Sequence, residues 1–318
     1  MKKKYKVIIT IVSLLLVLFV VAGFFAGNYF YNFALNPNTD KSDVFNAPHN
    51  SIAVSPKDAK EKEESEKWFK DNYKDYYIQS FDDLKLHAYT LKNTNETNKW
   101  AIVFHGYSSD GSQMTKYAKH FYETGYNVLV PDARAHGKSE GNYIGMGWHD
   151  RLDVVSWINN VISADKNAEI VLYGVSMGGA TVMMASGEDL PSNVKAIIED
   201  CGYSSVWDEF SYQLQALFNL PEFPIMQFSS IVTKIKADYT LGEADSVKQV
   251  AKSKTPMLFI HGSNDTFVPS DMLDKVYEAA NVPKEKFIVE GAGHSLAQSV
   301  AGDAYWKTIN NFLAKYTE

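Results

Sequence analysis

The chain begins with a basic cluster and a long apolar run. Four lysines lie within residues 1–6, and residues 7–26 follow without a charged side chain. At about 1.5 Å per helical residue, the run is long enough to cross the roughly 30 Å hydrocarbon layer of a membrane. It predicts a transmembrane helix or a signal peptide. Since the run is longer than the apolar region of a signal peptide and lacks a small-x-small cleavage site, we expect an uncleaved anchor.

A polar segment separates this anchor, residues 1–27, from the rest of the chain. Residues 28–54 are rich in Asn, Asp, Ser and Pro and predict a stalk. The remaining residues, 55–318, are predicted to form one folded domain. It should begin with a highly charged helix at 57–72 and an antiparallel hairpin at 76–91.

From Trp100 onward, short buried strands alternate with helices. This alternation predicts an α/β fold with a mostly parallel sheet, whose ligand site lies at the carboxyl ends of the strands. The predicted strands are 100–104, 127–130, 170–173, 194–198, 256–260 and 286–289, and the predicted helices are 112–123, 148–163, 177–187, 271–280 and 301–315.

Charge and composition narrow the class of protein. The 318 residues are 45% hydrophobic, enough for one large core or at most two domains. Beyond the basic cluster, 27 basic residues stand against 38 acidic ones, which argues against nucleic acid or anionic lipid as a preferred partner. Cys201 is the only cysteine, so no internal disulfide is possible. Nothing in the sequence indicates an oligomeric state.

The four lysines also predict the topology of the anchor. Basic residues next to a membrane span stay in the cytoplasm, so the protein should cross the cell membrane once with its folded domain outside. Tyr29, Phe30 and Tyr31 would then lie at the outer interface as aromatic anchors.

Ser176 lies at the point where a buried strand meets a helix. It is the centre of Gly174-Val-Ser-Met-Gly178, a G-x-S-x-G match. In a sharp strand-to-helix turn, glycines on either side let the serine hydroxyl project above the sheet, beside the positive end of the helix. Such a position suits a nucleophile.

Two later strand ends supply partners for Ser176. Asp265 follows the strand at 256–260, and His294 follows the strand at 286–289. The chain order Ser, Asp, His is the one expected with a nucleophile elbow, where the imidazole accepts the seryl proton and the carboxylate orients the ring. Asp200 is a rival for the acid, because it also stands at a strand end.

Loops after two other strands also carry polar residues. The backbone N–H groups of Tyr107 and Met177 are predicted to form an oxyanion hole. His105 is expected to be a buried imidazole that is hydrogen-bonded to the loop backbone. Asp132 and Arg134 either bind a ligand or pin their loop as a charged pair.

These motifs resemble the α/β-hydrolase superfamily over residues 70–318, and most of all the serine aminopeptidase-like and prolyl-oligopeptidase-like hydrolases that include the membrane-anchored Bem46 type. The matching pieces are His105-Gly106, the segment at 132–139, Gly174–Gly178, the segment at 261–265 and Gly293-His294. The resemblance implies an eight-stranded sheet flanked by helices and a triad of Ser176, Asp265 and His294. Ala135 departs from the pattern, since many members have Gly there.

The interval 201–254 is too long for a simple crossover. In related hydrolases an insertion here forms a cap, which would give the site an apolar roof; alternatively, its helices only pack on the sheet. The candidates for substrate contact are Phe210, Leu214, Phe218 and Phe223.

The sequence thus predicts a membrane-anchored serine hydrolase that cleaves a carboxylic ester bond of a small-molecule or lipid-like acyl substrate. Thioester and amide bonds are further candidates. A serine aminopeptidase, an acyltransferase and a catalytically idle binding protein are the alternatives. No metal site is predicted, because His136 and His149 have no cysteine or carboxylate partners at the spacing of metal ligands. No cofactor is predicted, because the sequence has no dinucleotide, haem or flavin motif.

Overall fold

A computed structural model describes residues 2–41 and 56–317. It contains an eight-stranded sheet flanked by helices. The strands are β1 (Lys74–Gln79), β2 (Lys85–Leu91), β3 (Lys99–Phe104), β4 (Asn127–Pro131), β5 (Glu169–Val175), β6 (Val194–Asp200), β7 (Met257–Gly262) and β8 (Lys284–Val289). The helices are α1 (Lys2–Leu35), α2 (Pro56–Asn72), α3 (Thr115–Glu123), α4 (Asp150–Ala164), α5 (Met177–Ala185), α6 (Val206–Phe218), α7 (Glu222–Ala237), α8 (Ser246–Val250), α9 (Asp271–Ala279), α10 (Ala297–Ala301) and α11 (Asp303–Leu313).

The strand order is β1-β2-β4-β3-β5-β6-β7-β8. The β1–β2 and β2–β4 pairs are antiparallel, whereas all other neighbours are parallel. The predicted mostly parallel eight-stranded sheet is therefore confirmed. Because β3, β5, β6, β7 and β8 run in one direction, their carboxyl ends meet at one edge of the sheet.

Helices cover both faces of this sheet. Along β3, Ala101 and Val103 face one core together with α2, α3 and α11, while Ile102 faces the other core with α4, α5 and α9. Burial on both faces explains why the central strands are continuous apolar runs without a polar alternation.

The N-terminal helix differs from the prediction at its carboxyl end. Residues 28–35, expected to begin a stalk, continue α1, and only the turn at 36–41 follows before the end of this described range. The helix persists because Tyr31 and Leu35 are apolar and nearly completely buried, with exposures of 6% and 0%. Residues 42–54 of the predicted stalk lie outside the described residues. Residues Lys3–Leu35 are long and apolar enough to cross a membrane.

The segment at 201–254 forms α6, α7 and α8. The first two lie over the carboxyl edge of the sheet and share an apolar cluster with the end of α1, whereas α8 packs on α5. The prediction that Phe223 contacts the substrate was wrong, because its side chain is 68% exposed and does not line the pocket above Ser176. Its extended backbone (φ −88°, ψ 133°) interrupts the first turn of α7.

Candidate active site

Ser176 occupies the turn between β5 and α5. Its backbone (φ 56°, ψ −119°) is strained for a residue other than glycine. A Cβ on Gly174 would lie 2.1 Å from the carbonyl oxygen of Gly178, and a Cβ on Gly178 would lie 2.3 Å from that of Phe104. Both glycines are therefore required by close backbone packing. The Ser176 N–H donates to the carbonyl oxygen of Asp200 (2.7 Å), which ties the turn to the end of β6.

His294 and Asp265 form a continuous line of hydrogen bonds with Ser176. Nε2 of His294 lies 2.8 Å from the serine Oγ, and its Nδ1 lies 2.7 Å from Oδ2 of Asp265. Asp265 is in the loop after β7, and His294 is in the loop after β8. The fold thus brings together three residues that the sequence places at three separate strand ends.

Asp265 is fixed by several hydrogen bonds. Its Oδ1 accepts from the backbone N–H groups of Phe267 and Val268 (both 2.9 Å), and its Oδ2 lies 3.3 Å from Nε2 of His261. Burial alone would raise the pKa of Asp265, yet His294 and His261 together hold that pKa well below its usual range. An ionised carboxylate at this place requires a proton on Nδ1 of His294, so Nε2 is left to accept a proton from the serine.

Asp200, the rival acid, belongs to a different network. Its Oδ2 accepts from the hydroxyl of Tyr305 (2.6 Å), and burial raises its pKa to about 6. The carboxylate that hydrogen-bonds to His294 is that of Asp265.

The two predicted oxyanion donors stand on segments that meet at Ser176. Met177 begins α5, so its N–H is among the first four that have no acceptor within the helix. The loop that carries Tyr107 approaches from β3: a Cβ on Gly106 would lie 3.3 Å from Cβ and 3.8 Å from Oγ of Ser176. A larger residue at Gly106 would push this loop away from Ser176.

His105 stabilises this loop. Its Nδ1 donates to the carbonyl oxygen of Gly106 (2.8 Å), and its Nε2 accepts from the N–H of Ala133 (2.9 Å). Burial, with the nearby His136, lowers the pKa of His105 to about 4, so the ring is neutral at physiological pH. The expected structural role is confirmed.

Asp132 and Arg134 do not pair with each other, contrary to one of the two roles predicted for them. Asp132 accepts from Nδ1 of His87 (2.7 Å), while Arg134 forms a two-pronged contact with Asp153 (2.9 and 2.8 Å) and also binds Asp82 (3.0 Å). Both side chains are buried and hold the loop after β4 against neighbouring elements. These side-chain partners of both residues are distant in sequence.

An apolar pocket lies above Ser176. It encloses about 830 Å³ of space, including its mouth open to solvent. The predicted cap residues Phe210, Leu214 and Phe218 line it from α6. Further walls come from α7 and, unexpectedly, from the end of α1, which contributes Phe30, Phe33 and Ala34. Three helices thus contribute apolar side chains to a pocket that is also lined by Ser176.

One group of side chains could in principle hold a metal ion. Among the described residues, ligand atoms of Cys201, Asp265 and His294 lie within 4.8 Å of one another. Both imidazole nitrogens of His294 already have partners, and burial keeps the pKa of the Cys201 thiol well above its usual value, so it carries no thiolate charge. These residues fit a hydrogen-bonded line better than a metal centre.

Comparisons with known proteins agree with this architecture. Residues 95–221 match the family model described as serine aminopeptidase, S33. The chain is 25% identical to the uncharacterized membrane protein YNL320W of Saccharomyces cerevisiae, over 73% of this chain and 76% of that protein. It is 22% identical to protein bem46 of Schizosaccharomyces pombe, over 82% and 83%. A Pyrococcus furiosus esterase, Pf2001, has a similar structure (TM-score 0.61, 24% identity, 86% of this chain and 98% of that one).

The chain has an α/β-hydrolase fold and is similar in sequence to Bem46-type proteins. The similarity to the esterase establishes the fold, and the family match supports a hydrolase. The apolar N-terminal helix and the yeast membrane protein both indicate membrane association of this hydrolase.

Two features of the hydrolase site were missed at the sequence level. The first is Glu209 of α6, which lines the pocket with 3% exposure and leaves Oε2 without a hydrogen-bond partner in the described structure. The second is the wall formed by α1, because an apolar run of this length is explained by a membrane alone. Neither feature has a local motif that distinguishes it from an ordinary helix.

Proposed function

We propose that this protein is a membrane-anchored serine hydrolase that cleaves carboxylic esters through an acyl intermediate on Ser176. The observation that supports this most strongly is the unbroken hydrogen-bonded line from Ser176 through His294 to Asp265. It ends beneath a pocket whose walls are largely apolar, as the binding of an acyl group requires.

In the first half-reaction, Oγ of Ser176 attacks the ester carbonyl carbon while Nε2 of His294 takes the seryl proton. Asp265 stabilises the imidazolium that forms, since its carboxylate is ionised. The N–H groups of Met177 and Tyr107 donate to the oxyanion. The carbon–oxygen bond to the leaving group then breaks as His294 returns the proton to the departing alcohol.

Water completes the cycle. His294 takes a proton from a water molecule that adds to the acyl carbon, and the bond to Ser176 breaks as the proton returns to Oγ. One ester and one water thus give one carboxylic acid and one alcohol. An acyltransferase would use the same residues with an alcohol in place of water.

The pocket carries no charge when it is empty, and this favours an uncharged substrate. Burial raises the pKa of Glu209 to about 8, so its carboxyl group is neutral at pH 7 when the pocket is empty. An apolar acyl chain can occupy such a pocket without leaving a charge unpaired.

Glu209 also supports a second candidate, a serine aminopeptidase. A substrate ammonium group placed beside this carboxyl would lower the pKa of Glu209 and pair with the ionised form. The family description names the same activity. Gln213 donates to Oε1 (3.0 Å), which leaves Oε2 as the oxygen that could receive an amine.

One substrate panel separates the two activities. The full-length protein in detergent is given p-nitrophenyl esters of increasing chain length and, in parallel, aminoacyl p-nitroanilides. An esterase hydrolyses the esters and retains this activity in Glu209→Gln, which keeps the side-chain shape. Faster cleavage of the anilides, lost in Glu209→Gln, would instead establish the aminopeptidase.

The predicted topology, with the catalytic domain outside the cell, can be tested with cysteine labelling. The only native cysteine, Cys201, is buried and should react slowly. Asp189, whose side chain is 93% exposed, is replaced by cysteine and treated with a membrane-impermeant maleimide on intact cells. Labelling of Asp189→Cys supports the topology, whereas labelling only after permeabilisation contradicts it. Lys3→Cys is the matched control, expected to react only in permeabilised cells.

A further inference from the structure

The end of α1 is built into the catalytic domain. The hydroxyl of Tyr107 donates to the carbonyl oxygen of Ala34 (2.7 Å), and the N–H of Ile144 donates to that of Leu35 (2.8 Å). These bonds satisfy two of the carbonyl groups that a helix leaves without partners at its carboxyl end. The same residue, Tyr107, belongs to the predicted oxyanion loop. The anchor and the catalytic loop are therefore joined directly.

The same part of α1 forms a wall of the pocket above Ser176. The rings of Phe30 and Phe33 lie 5.1 and 5.2 Å from the ring of Phe218 on α6, both in edge-to-face geometry. All three residues line the pocket that contains Ser176. The site consequently includes residues that directly continue the membrane-spanning segment.

Further toward the N terminus, α1 packs closely on α7. A Cβ on Gly23 would lie 2.2 Å from the ring of Phe228, and a Cβ on Gly27 would lie 2.6 Å from its backbone. The rings of Phe19 and Phe24 also contact Phe228, at 5.8 and 5.6 Å. Small residues four apart let two helices approach closely, as they do within membranes.

This packing sets the part of α7 around Phe228 beside the uncharged run of α1, whereas Lys236, further along α7, donates to Asn28 beyond that run. Phe19, Gly23 and Phe24 all lie within the uncharged run at residues 7–26, so their neighbour Phe228 is at the same level. Ile231 and Ile235, spaced to share a face of α7, are 45% and 71% exposed. Exposed apolar side chains that adjoin a membrane helix are stabilised by contact with lipid.

We propose that the substrate is an acyl ester of a membrane lipid, which enters the pocket from the bilayer along the wall formed by α1, so that the anchor is itself part of the acyl-binding site. This proposal rests on the serine hydrolase function proposed above. The lipid ester and one water give a fatty acid and the deacylated lipid, by the two half-reactions already described. The acyl chain can pass from lipid to the apolar pocket without crossing water.

The test uses the full-length protein in phosphatidylcholine nanodiscs. p-Nitrophenyl palmitate is dissolved in the same discs as the enzyme or, in a second arm, in separate protein-free discs. p-Nitrophenyl butyrate in water reports turnover that needs no bilayer. We expect palmitate in the same disc to be hydrolysed about tenfold faster than palmitate in separate discs. Equal rates in the two arms would overturn entry from the bilayer.

Phe33→Ala tests whether the pocket wall formed by α1 contacts the acyl chain, and Phe25→Ala is the matched control. Phe25 is on the same helix but is 73% exposed and does not line the pocket. Loss of the Phe33 ring should lower the palmitate-to-butyrate ratio of kcat/KM by about tenfold, since apolar contact with the long chain is lost. Phe25→Ala should leave the ratio within about twofold.

The outcomes distinguish this proposal from the function on which it rests. Suppose that butyrate turnover depends on Ser176 but that Phe33→Ala leaves the palmitate-to-butyrate ratio of kcat/KM unchanged. This result would overturn the lipid site and leave the serine hydrolase function in place. Butyrate turnover also shows that Phe33→Ala has folded. Absence of any Ser176-dependent ester hydrolysis would overturn both.

Discussion

Replacement of Asp265 by asparagine tests which acid serves His294. Oδ1 of Asp265 accepts from two backbone N–H groups, at Phe267 and Val268. An asparagine must keep its amide oxygen at that position, which places its NH₂ group 2.7 Å from Nδ1 of His294. The NH₂ group can only donate there, so the imidazole proton moves to Nε2 and the ring can no longer accept the proton of Ser176.

The expected loss is large. A base held in the wrong tautomer, with its orienting charge removed, should lose about 10³- to 10⁴-fold in kcat, or roughly 4–5.5 kcal/mol of transition-state stabilisation. Asp200→Asn is the control, because its amide oxygen can still accept from Tyr305 and the residue does not touch His294 through a hydrogen bond. Its kcat should fall by less than about tenfold, because the substitution removes only the charge of one more distant carboxylate.

The assay is the steady-state hydrolysis of p-nitrophenyl butyrate by both variants in detergent. Circular dichroism and thermal unfolding show whether each variant is folded. A loss in Asp200→Asn equal to or greater than that in Asp265→Asn, with both proteins folded, would refute the assignment of Asp265.

Two further predictions concern stability. Gly178→Ala should destabilise the protein by at least about 1–3 kcal/mol or prevent folding, because the new Cβ meets backbone 2.3 Å away; Gly242→Ala, with open space around it, is the control, and equal melting temperatures would contradict the packing argument. Burial raises the pKa of Glu199 to about 8, so its stabilising contribution is complete below the unfolded pKa near 4.5 and is lost as the pH rises through 8. Glu199→Gln should therefore flatten the pH dependence of the free energy of unfolding between about pH 5 and 8, by up to about 1.4 kcal/mol per pH unit; parallel curves from urea titrations in detergent would contradict this.

The strands and the turn at Ser176 could be predicted because their causes are local. Buried β-strands require short apolar runs, and the turn requires glycine at Gly174 and Gly178, where any side chain would meet backbone. The parallel order of the strands then brings their carboxyl ends together, which is why Asp265 and His294 could be expected near Ser176 from strand-end positions alone.

The parts that could not be predicted depend on contacts between distant segments. Arg134 binds Asp82 and Asp153, which are 52 and 19 residues away, and no periodicity identifies such partners. Glu209 resembles any acidic residue in the first turn of a helix until α6 is folded over the pocket. The sequence of an apolar run does not show whether lipid alone surrounds it. It also does not show whether the end of the run packs on other helices, as the end of α1 packs on the cap.

The most direct test of the central claim is covalent labelling of Ser176. The full-length protein and Ser176→Ala are treated with a fluorophosphonate probe, and the intact mass and the labelled peptide are determined. We predict one adduct per chain, on Ser176, that is absent from Ser176→Ala and strongly reduced in Asp265→Asn. A folded wild-type protein that forms no adduct, or forms it equally in Ser176→Ala, would contradict the serine hydrolase and favour a binding protein on a hydrolase fold.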